Sequence, residues 1–310
     1  MIRIVRPASV ALVGVALTTA PLLAGCADTG AGSGSGSASA TTSASDASAS
    51  ATPSWTRPAD PEDLLLQLSR GGGLVPPSIG LGLFPEFSLY ADGTLITRGA
   101  HTEQYPYPAL PPVLVQQVDP ADLGTVMAAV SALLTGLPED LGTPQTADVP
   151  GLAVTWDDQG TDEVVRAFSY GVGDESAGPG MTQEQVDARA KVRAVVLLAD
   201  DLAAGTVDGV TVSAAEAYRP DAWLVYSTPY EEPSGDLPAQ QELRWPGPAL
   251  SGTDVGPGYG CRVVEGDAAD TVTDALADAV VTTPWIDGGQ RWTVVVRPLL
   301  PGDPRACPDY

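Results

Sequence analysis

The 310-residue chain is 44% hydrophobic and 17% charged, but its 39 acids against 15 lysines and arginines leave a net charge of −24. A surface that acidic repels phosphate backbones and anionic headgroups, which argues against nucleic acid and anionic lipid as partners. Arg3 and Arg6 precede an almost wholly apolar run from Ala8 to Leu23, and the small residues Ala24 and Gly25 lead to Cys26. Together they read as a secretory signal over residues 1–25, its apolar core too short for a membrane span of about 20 residues.

Leu23-Ala24-Gly25-Cys26 resembles the bacterial lipobox. The resemblance implies a diacylglyceryl thioether on Cys26, cleavage before it and acylation of the new amino terminus. At about 0.8 kcal/mol per buried methylene, several acyl chains hold a protein firmly without a transmembrane helix. The expected partner is therefore the lipid bilayer, through acylated Cys26, and the expected location is the extracytoplasmic face of the cell membrane. Loss of Arg3 and Arg6 with the leader takes the charge from −24 to −26.

Residues 26–58 comprise Cys26 and an Ala/Ser/Gly/Thr stretch that cannot bury a core, so they read as a tether. Thirty such residues set a folded part about 30 Å from the bilayer. Trp55 within it is expected to be a docking residue or an accident rather than core.

Beyond the tether the pattern predicts an α+β fold, an antiparallel sheet built from β-hairpin and helix units with a disulfide-pinned C-terminal α/β portion. Glu62 to Ser69 reads as a short helix stopped by Gly71-Gly72-Gly73. Phe87 to Thr97 reads as a hairpin, because Asp92-Gly93 supplies the positive φ of a tight turn between alternating apolar residues. The prolines of His101 to Pro112 predict an irregular loop.

A helix is expected to open at Asp119-Pro120 and to bury Leu123, Val126, Val130, Leu133 and Leu137. A second hairpin joins Leu152–Trp156 to Glu163–Tyr170. A second helix starts from the capping-box spacing Thr182…Gln185, runs to Gly205 and buries Ala188, Val192, Val195, Ala199 and Leu202. Hairpin and helix thus occur twice over residues 59–208, a ββα-type repeat. Residues 209–310 form a C-terminal α+β subdomain or the second half of one sheet. Its strands are Val210–Val212, Ala222–Ser227, Cys261–Val264 and Trp292–Arg297, its helix Ala268–Val281, and a long loop spans Pro229–Tyr259.

Tyr90-Ala91-Asp92-Gly93-Thr94, the Asp-led helix after it and Thr146-Ala147-Asp148-Val149-Pro150 before a strand resemble domains of secreted bacterial proteins of unknown function. Trp292 to Pro301, with Cys307, is similar to actinobacterial lipoproteins. These resemblances imply a fold and a compartment, and no catalytic residue.

With Cys26 acylated, Cys261 and Cys307 remain, and an exported chain is expected to pair them. Without that bridge the tail from Pro298 onward, with little apolar surface, is expected to have nothing to hold it.

The chemistry is sparse. His101 is the single histidine, and no Gly-x-Ser-x-Gly, Ser-x-x-Lys, His-Glu-x-x-His or phosphate-cradling glycine loop occurs in residues 59–310. No catalytic residue, metal site or cofactor is expected. Asp157, Asp158, Asp162 and Glu163 cluster at a hairpin tip but lack the alternate spacing of a calcium loop, which favours a solvated turn. Tyr105, Tyr107, Tyr230, Trp245 and Tyr259 sit in Pro-rich loops, where aromatic side chains bind partners or pack the loop down. They are the candidate ligand-binding residues.

The expected function is a non-enzymatic envelope module that binds an unidentified partner or ligand. The alternative is a hydrolase of cell-wall glycans using paired carboxylates, which the abundance of acids leaves open.

Overall fold

The computed structural model describes residues 55–308 apart from 146–147, 158–163, 173–179, 234–239 and 257. Cys26, the leader, most of the tether and the acids Asp158, Asp162 and Glu163 lie outside the described residues. The fold is α+β with antiparallel sheets, as the hairpin signals predict.

The first sheet begins with β1 (Leu64–Gly71), where the sequence predicts a helix. Leu65, Leu66 and Leu68 are buried, because β2 (Phe87–Tyr90) and β5 (Gly151–Asp157) flank β1 and both faces are covered. A strand buried on both faces reads as a continuous apolar run, so its period of two is lost. Between β1 and β2 runs α1 (Pro77–Leu81), a single turn.

The β2 strand turns at Asp92-Gly93 into β3 (Thr94–Arg98). Asp92 accepts from the Thr94 amide at 2.7 Å and its hydroxyl at 2.9 Å. Gly93 has φ 91°, and a Cβ there would lie 2.2 Å from the Val118 carbonyl oxygen. Only glycine lets this turn dock. The meander continues through β4 (Val113–Gln117), a strand hidden behind its flanking prolines.

The first long helix, α2 (Leu123–Leu134), starts one turn after the expected Asp119. Asp119 instead closes a turn by accepting from the Ala121 amide at 2.9 Å, and Asp122 occupies the cap position. Leu123, Val126 and Val130 are buried as predicted, joined by Met127 and Leu134, while Leu133 is only partly buried and Leu137 lies past the helix end. Trp55 is partly buried and packs on this core close to Gly124, which corrects the expectation that it is a docking residue or an accident rather than core.

The second hairpin pairs β5 with β6 (Val164–Tyr170), and α3 (Gln183–Ala203) follows from an intact Thr182/Gln185 capping box. The predicted line Ala188, Val192, Val195, Ala199 and Leu202 is buried, and Arg189 is buried beside it. The Arg189 guanidinium donates to the Ser169 hydroxyl at 2.8 Å and to the carbonyls of Tyr170 at 2.5 Å and Gly171 at 3.1 Å. It ties α3 to the end of β6.

The chain then returns to the edge of this sheet. Val212 bridges Val118, and β7 (Glu216–Ala217) pairs with β4, which gives the order β6-β5-β1-β2-β3-β4-β7. Helices α2 and α3 cover one face. The other carries Tyr90, Ile96 and Val113, packed on Phe84 and Leu300.

The second sheet has the order β10-β11-β8-β13-β12-β9. Its strands are β8 (Ala222–Pro229), β9 (Leu243–Arg244), β10 (Thr253–Asp254), β11 (Gly260–Glu265), β12 (Trp285–Asp287) and β13 (Gln290–Pro298). Two of them, β9 and β10, lie within the stretch read as one long loop. Gly288 and Gly289, at φ 58° and 77°, make the turn between β12 and β13.

Along β8 the side chains alternate faces. Trp223 and Val225 join α4 (Asp267–Ala277), while Ala222, Leu224 and Tyr226 join Cys261 and Leu299. Cys261 and Cys307 form the expected disulfide, their Cα atoms 5.9 Å apart. The tail has holds besides the disulfide, contrary to the expectation that nothing else secures it. Leu299 and Leu300 are buried, and Arg305 binds Asp221 at 2.7 Å and Glu265 at 3.3 Å.

Candidate functional site: an aromatic loop and a cleft beside α3

The loop between β3 and β4 is fixed before its aromatic residues are presented. The Ala109 amide donates to the Ala279 carbonyl and the Val281 amide to the Tyr107 carbonyl, both at 2.9 Å. Ala109 and Leu110 pack on the core beneath α4. On that base Tyr105 and Tyr107 stay 51% and 38% exposed, two adjacent aromatic rings presented to solvent. Their rings meet edge to face at 5.5 Å, and the ring of His101 lies 5.9 Å from Tyr107. His101, a lone loop histidine with no motif around it, thus completes an aromatic surface.

The other three aromatic candidates go elsewhere. Trp245 is buried, stacked edge to face on Trp285 at 5.3 Å with its indole N–H donated to the Pro248 carbonyl. Tyr230 lies beneath the Arg291 guanidinium at 5.1 Å, and Arg291 pairs with Glu232 at 2.8 Å. Burial, then the nearby Glu232 carboxylate, pushes the Tyr230 hydroxyl above its ordinary range. Tyr259 packs beside Cys307 on the face of the second sheet opposite Trp245. The structure therefore unites two of the five candidates.

A cleft of about 550 Å³ opens where the second half of α3 passes over the first sheet. Leu68, Phe87, Thr97 and Leu114 stand side by side in register on β1 to β4 and make its floor. Val196, Ala199, Asp200 and Ala203 make its wall, and these small side chains keep the helix from filling the space. The Gln116 side-chain amide closes the inner end by donating to the carbonyls of Ala203 and Ser213 at 3.0 and 3.1 Å.

Charge on the cleft is balanced. Arg70 donates to Glu86 at 2.9 Å, so one of the two lining carboxylates is held by a cation and Asp200 remains at the rim. Arg98 also lines it, but its guanidinium is engaged at Phe84, 4.8 Å over the ring and donating to the Phe84 carbonyl. Burial holds Arg98 below its ordinary range. No motif announced this cleft, because its floor comes from four strands spread over nearly fifty residues.

Among the described residues no group of three or more His, Cys, Asp or Glu is placed to hold a metal ion, and no helix is long and apolar enough to cross a membrane. Comparison with protein families, with curated proteins and with solved structures finds no match to this chain.

Proposed function

We propose that this protein is a lipid-anchored, extracytoplasmic binding module of the cell envelope, without catalytic activity of its own. The leader and the Leu23-Ala24-Gly25-Cys26 motif support the anchor. The observation that carries the binding role is the surface of His101, Tyr105 and Tyr107, three contacting rings on a hydrogen-bonded base. Rigid aromatic groups offer large contact area at low conformational-entropy cost, which is what a recognition surface requires.

The partner is an envelope component that covers these rings. A photo-crosslinking residue placed at Tyr107 in living cells should give a discrete adduct, and Tyr105→Ala should abolish it. Crosslinking no stronger than from an exposed position on α3, such as Ala190, would overturn the assignment. The anchor is tested separately: Cys26→Ala should release the protein from the membrane fraction, and unchanged membrane association would refute the lipid.

A carboxylate hydrolase needs two inward carboxylates about 5–9.5 Å apart. In the one cleft described above, Glu86 is engaged by Arg70, and we carry the binding reading alone.

A further inference from the structure

Residues 71–85 contain no charged side chain, in a chain whose net charge is −24. This stretch connects β1 to β2 and carries the most exposed large apolar side chain of the described residues, Leu74, at 85%. Ile79 and Val75 beside it are 53% and 43% exposed. Large apolar side chains grouped on one uncharged loop mark a contact surface, whereas single exposed ones need no explanation.

The loop is built to project. Gly72 and Gly73 take φ 76°; a Cβ at Gly71 or Gly72 would meet nothing within 4 Å, whereas one at Gly73 would lie 3.0 Å from the Asp148 carbonyl oxygen, so the loop is seated at Gly73 and its apolar residues extend beyond that contact. Its return limb is braced: Leu81 packs on the core beside the disulfide, Phe84 is 5% exposed, and the Glu86 amide donates to the Leu68 carbonyl at 2.8 Å. The Ile79 and Gly80 amides both donate to the Pro76 carbonyl, which holds the tip in a single turn. An ordered apolar tip loses little entropy on insertion.

We propose that Leu74, Val75 and Ile79 seat in the outer leaflet of the membrane to which Cys26 is attached, so that the domain lies against the bilayer instead of hanging from it. This inference rests on the lipid-anchor reading. Residues 27–54 between the anchor and the described chain span up to roughly 90 Å when extended. The loop lies at the far end of β1 from the chain's entry, and β1 is about 26 Å long. The tether therefore reaches. The occupant is lipid rather than an ionic partner because the loop offers no charge to pair. For the same reason, insertion proceeds by apolar burial against the repulsion of the acidic body by anionic headgroups.

The experiment uses the full lipidated protein in phosphatidylcholine vesicles, with Leu74→Cys labelled by an environment-sensitive dye and Ala190→Cys on α3 as the comparison. Cys261 and Cys307 are disulfide-bonded and do not label. The dye at position 74 should shift to the blue and be quenched by nitroxide-bearing lipid, and the dye at 190 should do neither. Adding phosphatidylglycerol should weaken the shift. A dye that stays aqueous while the protein floats with the vesicles overturns the inference and leaves the anchor intact. If the protein fails to float, the anchor reading has failed. The loop is then judged by the Cys26→Ser chain mixed with the same vesicles, where a retained shift supports it and none overturns it. A shift that grows with protein concentration without vesicles, or that strengthens with anionic lipid, also overturns it.

Discussion

The indole N–H of Trp223 donates to the hydroxyl of Thr273 across 2.9 Å, inside the core between the second sheet and α4. Thr273 in turn donates to the Ala269 carbonyl at 2.8 Å. Both side chains are buried, so neither polar group has water to fall back on. Thr273→Val keeps the volume but orphans the indole N–H, and a buried unsatisfied donor costs about 1–3 kcal/mol. The expected result is a lower urea midpoint with an unchanged denaturant slope.

Arg189 supports the other sheet in a comparable way. Its guanidinium serves Ser169, Tyr170 and Gly171 from one planar fork. Hydrogen bonds to charged groups contribute about 1.5–3 kcal/mol each, so Arg189→Met should destabilise by about 3 kcal/mol or more. Arg189→Lys should rescue little, because an ammonium cannot reproduce the fork. Paired urea titrations of the two variants check this.

The disulfide closes a sequence separation of 46 residues, worth about 4 kcal/mol in the chain-entropy model. Reduction or Cys307→Ser should lower the melting temperature by several degrees and expose the end of the tail to protease. Because Leu299 and Leu300 are buried and Arg305 is doubly paired, the strand β13 should stay protected while the segment past Arg305 is cut. Two free thiols in the unreduced, unfolded protein would falsify the bridge.

Alkaline pH should unfold this protein through two tyrosines. Burial, then the carboxylate of Asp221, pushes Tyr218 up to about 12, and burial raises Tyr90 as well. The unfolded chain ionises its tyrosines near 10, so the folded state holds more protons above that pH. The stability is fully present below about pH 10 and is lost as pH rises toward 12. Tyr218→Phe should flatten that decline in a pH series of urea midpoints. Tyr90→Phe should flatten it as well, in the same series.

Much of the architecture was legible where side-chain period and capping chemistry agree. The α3 line from Ala188 to Leu202 and its Thr182/Gln185 box are the clearest case, and the Asp92-Gly93 turn is another. The failures have physical causes. The Leu64–Leu66 run looks helical because a strand covered on both faces shows no alternation, and β4 hides behind Pro111 and Pro112. The strand β12 is only three residues long and carries no run of its own, and Asp287-Gly288-Gly289 is its one local signal, a hairpin turn.

Of the candidate site, Tyr105 and Tyr107 were legible as loop aromatics. Trp245 was not separable from them, since only the tertiary fold shows that its indole meets Trp285 rather than solvent. The exposed tip at Leu74 was equally hidden, because exposure of an apolar residue is set by what the rest of the chain leaves uncovered.

The order of strands also dictates a timetable. β1 to β4 pair with sequence neighbours, and that meander can form while the chain is still emerging, although β1 awaits β5 from some eighty residues later. The second sheet can pair β8, β11 and β10 beforehand, but its interior strand β13 lies between β8 and β12 and comes at the very end of the chain. Non-local pairing of this kind is slow. A chain cut short by its last twenty residues would therefore have a complete first sheet and a second one missing its middle, with β8 and β12 left as open edges for aggregation.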